Sequence, residues 1–171
     1  MAVKAVAFLG RSGTGKTTLI EKVLPELVNR GYRVGAIKHD AHRFDIDHPG
    51  KDSHRLTAAG AVTMVITSSE KLALVKKHAK SPAAEELIDT YFRDIDIVLV
   101  EGFQKSGLPK IELFRKEKSA PLICRGEIDD PMLVAIASDT SLEVDVPLLD
   151  LNAPVTIAEF IEENILKNGA R

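Results

Sequence analysis

A glycine-rich turn between an apolar run and an amphipathic segment constrains this chain more than any other feature. Ala5-Val-Ala-Phe-Leu9 is followed at once by Gly10-Arg-Ser-Gly-Thr-Gly15-Lys16-Thr17. Leu19, Ile20, Val23, Leu24, Leu27 and Val28 then recur at helical spacing, and Gly31 suits the position just past a helix C-terminus. Arg33-Val-Gly-Ala-Ile-Lys38 resumes as a strand. The result is a strand, turn, helix, strand unit whose strands must run parallel, because the helix carries the chain back along the sheet. The turn matches G-x-x-x-x-G-K-[ST], with an extra glycine at position 13 and a second hydroxyl at Thr18.

Its physics points to a phosphate chain. Glycines let successive backbone N–H groups turn inward on an anion, and the following helix adds its positive end. Gly10, Ser12, Gly13, Thr14, Gly15, Lys16, Thr17 and Thr18 are the expected nucleotide-holding residues. Lys16 would reach the outer phosphates, and the Thr17 hydroxyl would face Mg²⁺.

Beyond the second strand, residues 39–52 form a polar stretch with His39, His42, His48, Asp40, Asp45, Asp47, Asp52 and Pro49-Gly50, too long for a tight connection. A short helix is expected near Ser53–Ala59, and strands at Val62–Thr67 and Leu72–Val75. A further helix is expected from Pro82 to about Phe92, and a wholly apolar strand over Ile95–Val100. The apolar runs Ile111–Arg115, Pro121–Cys124, Leu133–Ala137 and Pro147–Leu149 follow. The C-terminal helix carries the capping-box pattern Thr156-x-x-Glu159 and an apolar stripe of Ile157, Phe160, Ile161, Ile165 and Leu166. These elements predict one α/β domain over residues 1–171. It is a three-layer P-loop nucleotide-binding fold with a mainly parallel sheet and a small antiparallel insertion between residues 62 and 77.

The 171 residues carry a formal charge of −2, which gives no bulk electrostatic reason for nucleic-acid or membrane-surface binding. Residues 1–118 nevertheless hold 20 basic and 15 acidic side chains, and residues 119–171 hold 3 and 10. An anionic ligand is therefore expected on the first two thirds, with Lys38, Lys51, Arg55, Lys105 and Lys110 suited to its phosphates. The acidic remainder, Glu162 and Glu163 in particular, is expected to suit a basic protein partner. The single cysteine, Cys124, sits in an apolar run and reads as a buried structural side chain. The N-terminus shows no secretory pattern and no apolar stretch long enough to span a bilayer, so a cytoplasmic protein is expected.

A phosphate site that hydrolyses nucleotide also needs an acid. Asp96 and Glu101 bracket one apolar strand, about 16 Å apart at roughly 3.3 Å per residue, so both cannot serve one metal. Ligands of open α/β sheets gather at the carboxyl ends of strands, which selects Glu101. Asp40, just past the second strand, is a candidate second acid for orienting water. The guanine-reading N-K-x-D pattern is absent, but Asp139 ends the strand Leu133–Ala137 two residues on. Its carboxylate could accept from guanine N1 and N2. His39, His42, His48 and His54 with the interleaved aspartates leave three readings open for residues 39–54: a transition-metal site, a solvated loop, or a loop closing on phosphates.

Gly10–Thr18, Arg30–Asp40 with Lys38-His39, Phe44-Asp-Ile-Asp-His-Pro-Gly-Lys-Asp-Ser53, Ala59-Gly-Ala61 and Val100-Glu-Gly-Phe103 together resemble the molybdopterin-guanine dinucleotide biosynthesis adapter family, MobB. That resemblance runs over most of the chain. It implies a GTP-binding homodimer with weak GTPase activity, holding Mg²⁺ near Thr17 and Glu101. It also implies a MobA-like guanylyltransferase as partner, with molybdoenzymes or their chaperones, and molybdopterin guanine dinucleotide itself, as further ligands. Lys16, Glu101 and Asp40 would then be the catalytic set. Arg11 falls where some dimeric relatives of the wider class place a cation that reaches the partner's nucleotide. The competing readings are a small-molecule kinase whose acceptor is held by residues 39–54, and a binding module with a vestigial loop.

Overall fold

The structure, a computed structural model, describes residues 3–40, 44–118 and 120–167. Its packing separates two compact units, one made of residues 1–39 and 83–171 and the other of residues 40–82. The first unit is built on a six-stranded sheet in which every strand pair is parallel.

The strands are β1 (Lys4–Leu9), β2 (Val34–Lys38), β5 (Ile97–Glu101), β6 (Lys110–Phe114), β7 (Leu133–Ser138) and β8 (Leu148–Asp150), in the order β2-β5-β1-β6-β7-β8. Apart from Lys4 and Glu101 at their ends, β1 and β5 are apolar because both their faces are covered, as parallel central strands require. Val6, Phe8, Ile97, Leu99, Ile111 and Leu113 point to one face. There they pack with Leu19, Ile20, Val23 and Leu27 of α1 (Lys16–Asn29) and with Ile157 and Ile161 of α4 (Pro154–Ile161). Ala5, Ala7, Val98 and Val100 point the other way, toward Ile88 of α3 (Ala84–Tyr91). Each fully buried side chain of this size contributes roughly 1.5–3 kcal/mol of transfer free energy.

The second unit holds α2 (Asp52–Ala58) and an antiparallel pair, β3 (Thr63–Thr67) and β4 (Leu72–Lys76), in register Thr63↔Lys76 through Thr67↔Leu72. The mainly parallel sheet and the small antiparallel insertion expected from the sequence are thus both present.

Two local expectations need correction, and one apolar run lies outside the sheet. α4 has no Thr156–Glu159 capping box. Pro154, with its φ already helical and no N–H to satisfy, takes the first turn, and the Thr156 hydroxyl donates to the Ala153 carbonyl at 2.8 Å. The Pro121–Cys124 run is not a strand either. Ile123–Glu127 coils into a single π-type turn, because the buried Glu112 carboxylate of β6 accepts the Ile123 and Cys124 N–H groups at 2.6 and 2.8 Å. Pro82 stands ahead of α3 rather than inside it. That helix starts at Ala84, and the Glu86 carboxylate accepts the Ala83 N–H at 3.2 Å. Cys124 is buried as expected, and burial together with Glu112 pushes its thiol up to about 12.

Candidate functional site

β1 ends at Leu9 at the carboxyl edge of the sheet, and the chain turns through Gly10, Gly13 and Gly15, with φ of +145°, +75° and +88°. At Gly10 any Cβ would lie 2.8 Å from both the Leu113 carbonyl and the Thr14 hydroxyl, so only glycine passes there. Thr14 is buried, and both its N–H and its hydroxyl donate to the Arg11 carbonyl, at 3.2 and 2.9 Å. The tight bend they brace leads to Gly15, the residue that caps α1 without any side-chain cap. The N–H groups of Lys16, Thr17 and Thr18 belong to the first helical turn, where no intrahelical acceptor exists. Ser12, Gly13, Thr17 and Thr18 are exposed on this edge.

Lys16 folds back over the loop and donates to the carbonyls of Gly10 and Arg11 at 2.9 and 3.1 Å. Its pKa is held below the ordinary lysine value, chiefly by desolvation. Glu101 pulls it up and Lys38 pushes it further down. The three groups therefore feel one another's charge.

Glu101 ends β5, beside β1 and directly opposite Lys38 of β2 in the parallel register. The Thr17 hydroxyl donates to Glu101 Oε2 at 2.7 Å. Lys38 Nζ lies 3.2 Å from Thr17 Oγ1 and 3.3 and 3.4 Å from the two Glu101 oxygens. The acid singled out by the strand-end rule is thus the one that meets the loop. Asp96, at the other end of β5, accepts the Arg33 N–H at 2.7 Å instead. After Glu101 the chain bends sharply, with Gly102 at φ +92° and Phe103 at φ +55°, a left-handed conformation that bulky residues rarely adopt. The His39 ring meets Phe103 there, with centroids 4.5 Å apart.

This oxygen pair suits Mg²⁺. A hydroxyl and a carboxylate are hard donors, and adjacent ligands of an octahedral Mg²⁺ at 2.0–2.1 Å stand about 2.9 Å apart, close to the separation of the two oxygens.

Two cations on the loop escaped the sequence reading. Arg115, just past β6, donates from Nε to the Thr14 carbonyl at 2.9 Å, and a Cβ at Gly15 would meet its Nη2 at 3.4 Å. Lys118 Nζ lies 3.2 Å from where a Cβ on Gly13 would be. Asp139 joins this group rather than standing apart. Its carboxylate accepts the Lys116 N–H at 2.9 Å and lies 3.5 Å from Arg115 Nη1. Basic residues after a strand carry no signature by themselves; the sheet order, which sets β6 beside β1, brings them to the loop.

Other expectations fare differently. Lys110 is not a phosphate ligand: it is 1% exposed, donates to the Ser106 carbonyl at 2.6 Å and pairs with Asp130 at 3.1 Å. Residues of a buried strand face the core whatever their charge, and this one brings its counter-ion with it. Arg11 forms an ion pair with Glu127 of its own chain. Glu162 is not a free acidic surface group. It is bound by Arg30 at 2.8 Å, Lys167 at 3.0 Å and Tyr32 at 3.0 Å, and these hold its carboxyl down at about 2. Glu163 is exposed. Asp40 is exposed and begins the second unit. His42 lies outside the described residues. Among the described residues no three His, Cys, Asp or Glu side chains converge as a metal site, and no helix is long and apolar enough to cross a membrane.

The sequence model of the family described as "Molybdopterin guanine dinucleotide synthesis protein B" matches residues 5–139. The chain is 41% identical over 161 residues to the molybdopterin-guanine dinucleotide biosynthesis adapter protein of Haemophilus influenzae, covering 94% of this chain and 88% of that one. It is 40% identical to the protein of the same name from Escherichia coli, covering 98% and 96%. The crystal structure of Bacillus subtilis MobB superimposes with a TM-score of 0.75 at 26% identity, covering 95% of this chain and 98% of that one.

Proposed function

The chain belongs to the molybdopterin guanine dinucleotide synthesis protein B family, and from that premise we propose that it is a GTP-binding adapter that hydrolyses GTP slowly. In this reading it acts in the cytoplasm as a homodimer. It supports a MobA-like guanylyltransferase that joins GMP to molybdopterin, and helps pass the finished dinucleotide to molybdoenzymes or their chaperones.

The observation that carries the nucleotide part is the hydrogen bond between Thr17 and Glu101, 2.7 Å long, made across the mouth of a glycine loop whose lysine already folds inward. The loop N–H groups and Lys16 bind the phosphates, and Thr17 and Glu101 hold Mg²⁺. Bound there, the metal neutralises charge that builds on the phosphate oxygens. Arg115 and Lys118 add positive charge from the β6 side. Asp139 keeps Arg115 on the loop and, with the lone pairs that Lys116 and Arg115 do not use, accepts from the guanine edge.

Slow turnover follows from the same arrangement. The two carboxylates that the sheet brings to the loop are both engaged, Glu101 by Thr17 and Lys38 and Asp139 by Lys116 and Arg115. Neither stands ready to take a proton from water, so the protein contributes positioning and charge. Calorimetric titration with GTP and Mg²⁺ tests this reading. Binding that prefers GTP to ATP and is lost in Lys16→Ala supports it, and absence of GTP binding in the native protein defeats it.

A further inference from the structure

Lys38 lies against the Thr17 and Glu101 oxygens that would hold a divalent cation. It closes β2 opposite Glu101 in the strand register, so the two side chains leave neighbouring strand ends on the same face of the sheet. Its ammonium contacts Thr17 Oγ1 and both Glu101 oxygens, all within 3.2–3.4 Å. They include the Thr17 and Glu101 oxygen pair that a metal would use. The Glu101 side chain is 13% exposed and that of Lys38 is 57% exposed, so the acid is set in the sheet while the cation reaches it from solvent.

We propose that Lys38 is a resident counter-cation of the metal position, which keeps divalent ions out of the free protein and lets them enter together with the nucleotide. This rests on Thr17 and Glu101 being the metal-holding pair.

The charge balance explains the direction. At rest one carboxylate faces two ammonium groups, those of Lys38 and Lys16, and Lys16 feels both others. A bare divalent ion would have to displace Lys38 and then sit near two like charges, with Glu101 as the carboxylate that holds it. A triphosphate adds several negative charges, attracts both lysines, and frees the Glu101 oxygens at the moment the metal arrives. Metal and nucleotide thus bind with positive coupling, and by linkage each raises the affinity of the other by the same factor. Lys38 is a positioning residue in this scheme, and no bond is made or broken at it.

The test is a Mn²⁺ titration of nucleotide-free protein followed by electron paramagnetic resonance, on the native chain, Lys38→Met, Lys38→Arg and the double variant Lys38→Met/Glu101→Gln. Lys38→Met should bind Mn²⁺ on the order of tenfold more tightly than the native chain, a size set by the partial exposure of the pair. Lys38→Arg should stay weak, and the double variant should lose the gain. Equal or weaker Mn²⁺ binding in Lys38→Met overturns the proposal, as does a gain that survives Glu101→Gln. If the native protein still binds GTP with Mg²⁺ in either of those cases, the nucleotide reading stands and only the role of Lys38 falls.

Discussion

The two units of this protein place their apolar side chains in opposite ways. In the sheet unit, Ile97, Val98, Leu99 and Val100 are all completely buried, covered by helices on both faces. In residues 40–82, Val65, Ile66 and Leu72 are 49%, 55% and 64% exposed, although they lie in equally apolar strands. This unit gives the pair only the short helix α2 as cover, with Met64 the one buried residue of β3 and β4, and a two-stranded pair is marginal in water without fuller cover. The same residue types are therefore stabilising core in one unit and surface in the other. Val65, Leu72 and Leu74 share one face of the pair, and under the proposed homodimer a second copy would cover them.

The largest expected effect tests the buried side of that contrast. Phe8→Ala removes a fully buried ring from the centre of the sheet and should cost about 3–5 kcal/mol, read from the midpoint of urea unfolding. A loss below about 1 kcal/mol would mean that this core is not what holds the unit together. Lys16→Ala comes next. It takes a charged donor from the phosphates and should weaken GTP binding on the order of a hundredfold in calorimetry, with little change in stability. Asp139→Asn should narrow the preference for GTP over ATP about tenfold, because an amide offers one acceptor where the carboxylate offered two. An unchanged ratio would remove Asp139 as the base reader.

On the exposed side, Leu74→Ser should change monomer stability by no more than about 0.5 kcal/mol. Under the proposed homodimer it should also shift the sedimentation profile toward monomer. A large stability loss instead would contradict the contrast itself.

The smallest effect concerns acid stability. Glu162 titrates at about 2 in the folded chain against 4.5 in the unfolded one. A depressed carboxyl adds stability that is present above the unfolded value and is lost as pH falls toward the folded one. Glu162→Gln should therefore flatten the fall in stability between about pH 4.5 and 2, measured by thermal unfolding across that range. An unaltered slope would show that Arg30, Tyr32 and Lys167 do not hold this carboxyl.

The site was half legible in the sequence. The loop from Gly10 to Thr18 announces itself because each of its residues acts through its own backbone or its immediate neighbours. Glu101 was legible through one further rule, that ligands collect at strand ends. Arg115 and Lys118 were not, since nothing in Phe114-Arg-Lys-Glu-Lys118 tells which strand will lie beside β1. Lys110 failed for the opposite reason: its charge suggested a ligand, but its partner, Asp130, lies twenty positions away in the chain. The capping box at Thr156 failed locally, where two competing start signals stood side by side and Pro154 prevailed.

The sequence alone determined what depends on short-range geometry: a parallel α/β core, a glycine-rich loop between strand and helix, a buried thiol and an antiparallel insertion. Only the tertiary structure decided which distant side chains meet. Strand order brought Lys38, Glu101 and Thr17 within 3.4 Å of one another and laid Arg115 on the loop. That order follows from how six strands and their helices cover one another, a property of the whole chain that no single segment carries.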